Sequence, residues 1–203
     1  MDQFQLHFDN RIPQLEKENR WKSVVDIVLA QWTDSPNDLN RLVCAGTQLW
    51  YTLFVMDYIK NDPSPPNDIE YVPEMQLQKD LMRVTQYGFK YFADNAVFNA
   101  YFGYMISAMP YFFLVYDGDY LGWQTKGIEM LCYSYRLVPE PPFTKAMYHE
   151  TTAGGKDTLF YSACKEIWSR ITPNEWGKSE VQQYFFRILC GESFYSGAYS
   201  QNE

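Results

Sequence analysis

The stretch NAVFNAYFGYMISAMPYFFLVY, residues 95–116, determines how the rest of this chain must fold. It contains no charged residue, and eight of its side chains are aromatic. A helix that is apolar on every side must be buried on every side. We therefore predict that this stretch forms the central helix of the core, with Asp94 as its cap. Pro110 should kink or end the helix, because a proline removes a helical hydrogen bond and clashes with the preceding turn.

The same stretch is nearly long enough to span a bilayer, because about 17–25 apolar residues suffice. Three polar side chains and a proline interrupt it, however, and acids flank both of its ends. The flanks therefore carry no positive charge that would orient an insertion. A buried core helix is the better interpretation, with Phe102 and Phe113 among its core residues, and we expect no membrane span.

Length and composition fit one large domain, residues 1–203, or a short array of repeats. Apolar residues make up 46% of the chain, which is enough for a substantial core. Aromatic residues make up 18%, and many of them are tyrosines or tryptophans, whose polar groups suit core edges and interfaces. We therefore expect some of the aromatic side chains to lie at the surface.

The formal net charge of -8 and the isoelectric point of about 4.8 argue against a protein that binds nucleic acid. Phosphate contacts need a basic surface, which this composition does not favour. An acidic surface favours a basic partner, most often another protein. The alternative interpretation is that the negative charge serves solubility alone.

The cysteine pattern is typical of a protein in a reducing compartment. The four cysteines lie far apart in apolar segments, and no CxxC pair occurs, so we expect buried free thiols rather than structural zinc. The first residues, MDQFQLH, lack the basic region and apolar run of a secretory signal. The sequence therefore predicts a cytoplasmic protein without a cofactor.

Apolar residues recur at three- and four-residue steps along most of the chain, which is the period of an amphipathic helix. No segment shows the alternation of a strand. We predict an all-α fold in which about eight helices stack as antiparallel hairpins, either as a short α-solenoid or as an irregular helical bundle. The predicted helices are 12–32, 36–59, 74–91, 95–116, 121–137, a short one from 143, 157–171 and 179–189.

Capping residues and prolines mark the boundaries of these helices. Ser35 should cap the second helix, with Pro36 in its first turn, and Ser179 with Gln182 should form a capping box at the last helix. Residues 60–73 contain four prolines and several acids, so we predict an acidic surface loop there. The small and polar residues 191–203 should form a flexible tail.

Helical hairpins with prolines at their turns resemble the tetratricopeptide repeat, whose period of about 34 residues separates Pro139 from Pro173. The first helix of that family carries a large apolar residue followed by glycine and then an aromatic residue. Similar patterns are Ala45-Gly46 with Leu49 and Phe102-Gly103 with Ile106. The resemblance implies a solenoid of stacked hairpins. A bundle without repeats remains the alternative, because the two glycines are 57 residues apart.

Three short motifs were considered as catalytic or ligand-binding sites, and each lacks a required residue. His149-Glu150 begins like a zinc-protease motif, but position 153 is alanine where the second histidine is needed. Residues 153–158, AGGKDT, lack the first glycine of a phosphate-binding loop. Asp117-Gly118-Asp119 lacks the further oxygen ligands of a calcium loop. We therefore expect no metal site.

The acidic balance, the surplus of tyrosine and tryptophan, and the grooves between stacked helices together favour a protein that binds another protein. We predict an immunity-type inhibitor that neutralises a basic partner such as a toxin, with an adaptor or chaperone as the nearest variant. The alternative is a small helical enzyme that uses His149 and Glu150, with Asp117 or Asp119, in an aromatic pocket. The predicted partner-binding residues are Asp62, Asp68, Glu70, Glu74, Asp117 and Asp119.

Overall fold

The computed structural model describes residues 4–61, 68–115, 118–139, 142–152, 162–163, 165–166 and 173–189, and within these ranges the fold is all-helical. Two 3-10 turns, Ile69–Tyr71 and Pro110–Phe113, accompany the α-helices. The prediction of an all-α fold is therefore confirmed. The α-helices are α1 (Ile12–Lys17), α2 (Trp21–Asp34), α3 (Leu39–Asn61), α4 (Glu74–Tyr91), α5 (Ala96–Ala108), α6 (Tyr120–Leu137), α7 (Pro142–Thr152), α8 (Pro173–Trp176) and α9 (Glu180–Leu189).

Helices that follow one another in the chain pack side by side. The pairs α2 and α3, α3 and α4, and α5 and α6 are in contact, and α3 also packs against α5. Residues 35–38 alone connect α2 to α3, and so short a connection makes these two helices antiparallel. The helix contacts fit the predicted stacking of hairpins in this part of the chain. None of the described helices is both long and apolar enough to cross a membrane.

The charge-free stretch forms the centre of the core, as the sequence predicts. Helix α5 is buried from Val97 to Ser107 and contacts α3, α6 and α7. Phe102 and Phe113 are both fully buried. The helix ends at Ala108, and a 3-10 turn begins at Pro110, so the proline ends the helix rather than kinking it.

The cap of α5 differs from the prediction by one residue. The side chain of Asn95, rather than that of Asp94, accepts hydrogen bonds from the backbone amides of Val97 and Phe98. Asp94 lies outside the helix and accepts a hydrogen bond of 3.1 Å from the hydroxyl of Tyr133 on α6. Asparagine and aspartate cap helices about equally well, so the sequence pattern alone did not distinguish the two positions.

Two glycines bring the backbones of α5 and α6 into direct contact. A Cβ atom at Gly127 would lie 2.5 Å from the backbone nitrogen of Ser107 and 2.8 Å from the carbonyl oxygen of Gly103. On the other side of α5, the ring of Phe102 occupies the place where Gly46 of α3 would carry a side chain. The glycines of the repeat-like patterns are thus points of close helix packing.

The first predicted helix, 12–32, is divided into α1 and α2. Asn19 between them has a positive φ of 54°, a left-handed conformation that asparagine tolerates better than most residues. The start of α2 is capped from a distance, because the carboxylate of Asp68 accepts hydrogen bonds from the backbone amides of Lys22 and Ser23. The apolar period continues across the break, because the buried side chains of α1 and those of α2 follow the same helical spacing.

The second predicted helix, 36–59, corresponds to α3, which begins at Leu39, three residues later than predicted. Ser35 is not its cap, because residues 35–38 form a turn in which the amide of Asp38 donates to the Ser35 carbonyl at 3.0 Å. Asp38 is the cap, and it accepts a hydrogen bond of 3.2 Å from the amide of Arg41. A proline in the turn is compatible with either boundary, which is why the sequence pattern misplaced it.

The capping box at the last helix is confirmed. The amide of Gln182 donates to Ser179 Oγ at 3.2 Å, and the amide of Ser179 donates to Gln182 Oε1 at 3.0 Å. Within the predicted loop 60–73, α3 extends to Asn61 and residues 69–71 form a 3-10 turn. The predicted helix 157–171, apart from helical residues 162–163 and 165–166, and the predicted tail 191–203 lie outside the described residues.

The segment 4–6 before α1 packs against the last two helices. Phe4 stacks on Phe143, and its carbonyl accepts a hydrogen bond from the hydroxyl of Tyr101. Gln182 of α9 donates its side-chain amide to the Leu6 carbonyl at 2.6 Å. The two sequence-distant ends of the described chain therefore form one core.

Candidate functional site

Large apolar side chains are exposed mainly at one end of the helical bundle, where α3 ends and where α4 and α6 begin. They are between 42% and 78% exposed, and they are Tyr58, Tyr71, Met75, Tyr111, Tyr120 and Leu121. Only Tyr91 and Leu137 are comparably exposed elsewhere in the part of the chain that the structure describes. A cluster of exposed apolar side chains is the usual mark of an interaction surface.

The 3-10 turn Pro110–Phe113 brings part of this cluster together. Phe112 and Phe113 point into the core, and the turn contacts α4, α5 and α6, whereas Tyr111, which precedes them in the chain, is 47% exposed. Burial raises the pKa of the Tyr111 hydroxyl, and the nearby groups of Glu74, Tyr120 and Asp57 raise it further. These residues from four elements are therefore neighbours on one surface.

This surface combines acids with exposed rings, and we call it the acidic aromatic face. Its carboxylates can pair with cations, while its tyrosine rings can contact the aliphatic parts of lysine and arginine. Its members are Tyr111, the nearby residues Asp57, Glu74 and Tyr120, and the exposed chain neighbours of these residues, Met75, Asp119 and Leu121.

Two of the predicted partner-binding residues belong to this face. Glu74 is exposed in the first turn of α4, where a carboxylate also interacts favourably with the helix dipole. Asp119 is exposed at the start of α6, and its carboxylate accepts a hydrogen bond of 2.9 Å from the amide of Gly122. Asp119 thus caps a helix and still presents charge to solvent.

Asp68 has a structural role that sequence reasoning did not anticipate. In addition to the two α2 amides, its carboxylate accepts a hydrogen bond of 3.1 Å from the hydroxyl of Ser23 and lies 3.5 Å from the guanidinium of Arg20. Asp62 and Asp117 lie outside the described residues. Glu70 lies in the 3-10 turn, but its side chain is outside them as well.

A cleft of about 740 Å³ opens beside the acidic aromatic face. Helices α1, α2, α3 and α9 and the turn between α1 and α2 contribute to its wall. Its most buried lining residues are Glu16, Trp21 and Ile59, whereas Lys17, Tyr58 and Arg187 are exposed at its rim. The lining residues are Glu16, Lys17, Asn19, Trp21, Tyr51, Phe54, Val55, Tyr58, Ile59, Glu180 and Arg187.

Glu16 is the most unusual residue of this cleft, because it is only 2% exposed and its carboxyl has no cationic partner among the residues that the structure describes. Burial raises its pKa to about 8, and the charge of Glu180 also raises it, whereas the backbone amide of Glu180 opposes the rise. That amide donates to Glu16 Oε2 at 2.8 Å. The other oxygen, Oε1, accepts no hydrogen bond from any residue that the structure describes.

Further polar groups surround the two carboxyls. The Tyr51 hydroxyl donates to Glu180 Oε2 at 3.2 Å. Burial raises the pKa of Glu180, and Tyr51 and Arg187 oppose that rise. The amide of Gln48 is close enough to lower the pKa of Glu16 but makes no hydrogen bond, and neither of its polar atoms has a partner in the described chain.

Sequence reasoning missed both Glu16 and Glu180. One signal pointed to Glu16: it stands four residues after Ile12, and both lie on the buried side of α1. A charged residue on the apolar stripe of a helix indicates either a buried polar contact or a functional group. Glu180 gave no such signal, because an acid in the first turn of a helix is ordinary.

Asp119 is the one residue of the predicted enzyme site whose side chain the structure describes, since Asp117 lies outside the described residues. His149 and Glu150 belong to α7, but their side chains are outside the described residues. Within the residues that can be described, no three histidine, cysteine or acidic side chains form a group that could hold a metal ion.

Comparison with known proteins adds no family to this description. No protein-family model matches the chain, and no curated protein or solved structure matches it either. The acidic aromatic face and the cleft beside it are therefore the features of the molecule that bear on its function.

Proposed function

We propose that this protein binds a basic protein partner and neutralises it, in the manner of an immunity protein that inhibits a toxin. The observation that carries the proposal is the acidic aromatic face, where exposed rings and carboxylates from α3, α4, α6 and the 3-10 turn are neighbours. Binding energy in such interfaces comes mainly from large aromatic side chains, and charge at the rim steers association.

The composition of the face supports a cationic partner over a neutral one. Asp57, Glu74 and Asp119 are exposed, and none of them forms an ion pair within the described chain. The net charge of -8 would add a long-range attraction for a basic protein. Tyr111, Tyr120 and Leu121 would supply the apolar contact that holds the partner after encounter.

The proposal is tested with an immobilised protein that captures partners from the source cell, followed by reconstitution of each captured complex from purified components. We expect a basic partner whose expression alone arrests growth and whose coexpression with this protein restores growth. Leu121→Ser should weaken the reconstituted complex by about tenfold or more, as expected for a contact near the centre of an interface. Leu137→Ser, at the opposite end of α6, is the matched control.

The electrostatic part is tested by Asp57→Asn with Glu74→Gln. This double variant should slow association and reduce its dependence on salt, because surface charges act mainly on the encounter rate. Asp34→Asn with Glu129→Gln changes the net charge equally at exposed positions away from the face. If the two double variants associate at equal rates, the partner does not dock on this face, and the charges of the face serve solubility alone.

A further inference from the structure

The cleft between α1, α2, α3 and α9 has the size and the mixed lining of a ligand pocket. Its volume of about 740 Å³ is in the range of small-molecule pockets in proteins. Its wall is largely apolar and aromatic, with Trp21, Tyr51 and Phe54 contributed by α2 and α3. Such a wall binds the apolar part of a ligand, and a few polar groups then decide which ligand is accepted.

The polar groups of the cleft are arranged for a cation. Glu16 lies at the buried end, with one carboxyl oxygen held by the backbone of α9. The other oxygen accepts no hydrogen bond in the described structure, although the Gln48 amide lies near it. A buried carboxyl oxygen without a donor is rare, because such atoms are nearly always satisfied in folded proteins. The second carboxyl, Glu180, stands beside it and adds negative charge.

The basic side chains that line the cleft do not pair with the Glu16 carboxyl. Lys17 and Arg187 line the same cleft, but both are exposed, and neither forms an ion pair with Glu16. An anionic ligand would meet the Glu16 carboxyl at the inner end and the more exposed Glu180 carboxyl beside it, which disfavours an anion by repulsion. A ligand that donates hydrogen bonds and carries positive charge would satisfy the free oxygen and stack on the rings.

We infer that this cleft binds a small organic amine, whose ammonium group pairs with Glu16 and whose apolar part packs on Trp21, Tyr51 and Phe54. The ammonium group could belong to a free amine or to a lysine side chain of a protein. The enclosed aromatic wall fits a free amine with a ring or a branched chain, whereas a lysine side chain would leave much of that wall uncovered.

Proton linkage gives the inference an independent readout. Glu16 is the group that would change protonation, and the titratable groups that line the cleft around it are Lys17, Tyr51, Tyr58, Glu180 and Arg187. Glu16 holds its proton near neutral pH, so an ammonium ligand that pairs with it must displace that proton. Binding should therefore release close to one proton per ligand near neutral pH, with less release as the pH rises above 8.

The experiment is a calorimetric titration of the purified chain with 2-phenylethylamine, repeated in phosphate and Tris buffers to measure proton release. The uncharged control ligand is 2-phenylethanol, which has the same ring and length. We expect the amine to bind at least about tenfold more tightly than the alcohol, because a hydrogen bond to a charged group adds more than a neutral one. Nα-acetyl-lysine methylamide tests the lysine source and should bind more weakly than 2-phenylethylamine.

Glu16→Gln should remove the preference for the amine and the proton release while leaving the weak affinity for the alcohol. Glu18→Gln is the matched control, because Glu18 is exposed directly after α1 and does not line the cleft. If the amine fails to bind the wild-type protein at millimolar concentration, or binds no better than the alcohol, the inference is wrong. If the lysine derivative binds more tightly than 2-phenylethylamine, the ligand of the cleft is a lysine side chain of a protein rather than a small amine. These titrations contain no partner protein, so their outcome is separate from that of the proposed inhibition.

Discussion

Replacing Glu16 with glutamine should make the protein more stable at neutral and alkaline pH. Glutamine keeps the shape of the side chain and can still accept the hydrogen bond from the Glu180 amide, but it never acquires a charge. The wild-type carboxyl must either stay protonated or place a charge in a site that is only 2% exposed. Burying an unpaired charge is among the most costly events in a folded protein.

The size of the effect follows from the pKa. Burial raises the pKa of Glu16 from 4.5 to about 8, and this rise corresponds to roughly 5 kcal/mol at ~1.4 kcal/mol for each tenfold change in proton affinity. The unfolded chain loses this proton near its ordinary pKa, whereas the folded chain keeps it until its raised pKa. Stability therefore falls as the pH rises through that window, by about 2.5 kcal/mol between about pH 5 and pH 7.

Other titrating groups do not obscure this dependence of stability on pH. The pKa of Asp9 is lowered to about 2 by Arg11, so the stability it contributes is lost only in acid, below the window. The pKa of Glu180 is raised as well, so Glu180 also makes stability fall as the pH rises. Glu180 is present in both the wild type and the Glu16→Gln variant, however. The difference between wild type and variant therefore isolates Glu16.

Thermal and urea unfolding of both proteins at several pH values would measure the difference. The gap in melting temperature should widen by roughly 5–10 °C from about pH 5 to about pH 7, since 1 kcal/mol shifts the melting temperature of a chain this size by about 2–4 °C. Glu18→Gln should follow the wild-type curve throughout. Parallel stability curves for wild type and Glu16→Gln would refute the account of a buried, unpaired carboxyl.

Three further substitutions test the packing. Gly127→Ala should destabilise the fold by about 1–3 kcal/mol, because its new methyl group would meet the backbone of α5, whereas Gly118→Ala has open space and should change the melting temperature little. Phe102→Ala should cost about 3–5 kcal/mol in urea unfolding, and a melting temperature within a degree or two of wild type would contradict its core position. Asp68→Ala should cost about 1–2 kcal/mol through loss of the α2 cap, and Asp34→Ala, an exposed acid at the other end of that helix, is its control.

The helical fold was predictable because one-sided burial leaves a direct trace in the sequence. The period of the apolar residues located α4 at the observed residues and α6 within one residue, and the charge-free stretch identified α5 as the centre. The break at Asn19 was not predictable in the same way. A periodic pattern indicates which side chains are buried. The buried side chains of α1 and α2 follow the same spacing, so the pattern does not show the break between the two helices.

The candidate sites were less predictable because they depend on contacts between distant residues. Glu74 and Asp119 were named from local acidity, and the structure places both at the surface. Asp68 was named for the same reason, but its partners lie 45 and 46 residues away in the chain. The cleft joins α1 to α9, and no local pattern indicates that Glu16 meets the amide of Glu180.

The packing of segment 4–6 against α8 and α9 has a consequence for synthesis on the ribosome. Gln5 donates to the carbonyls of Glu175 and Trp176, which lie 170 and 171 residues away. Residues 4–6 are synthesised long before residues 175–182, so their native contacts can form only after that later part of the chain has been made. Such long-range closure slows folding and leaves apolar surface open in the meantime. Nascent chains of this protein should therefore depend on chaperones until α9 has left the exit tunnel.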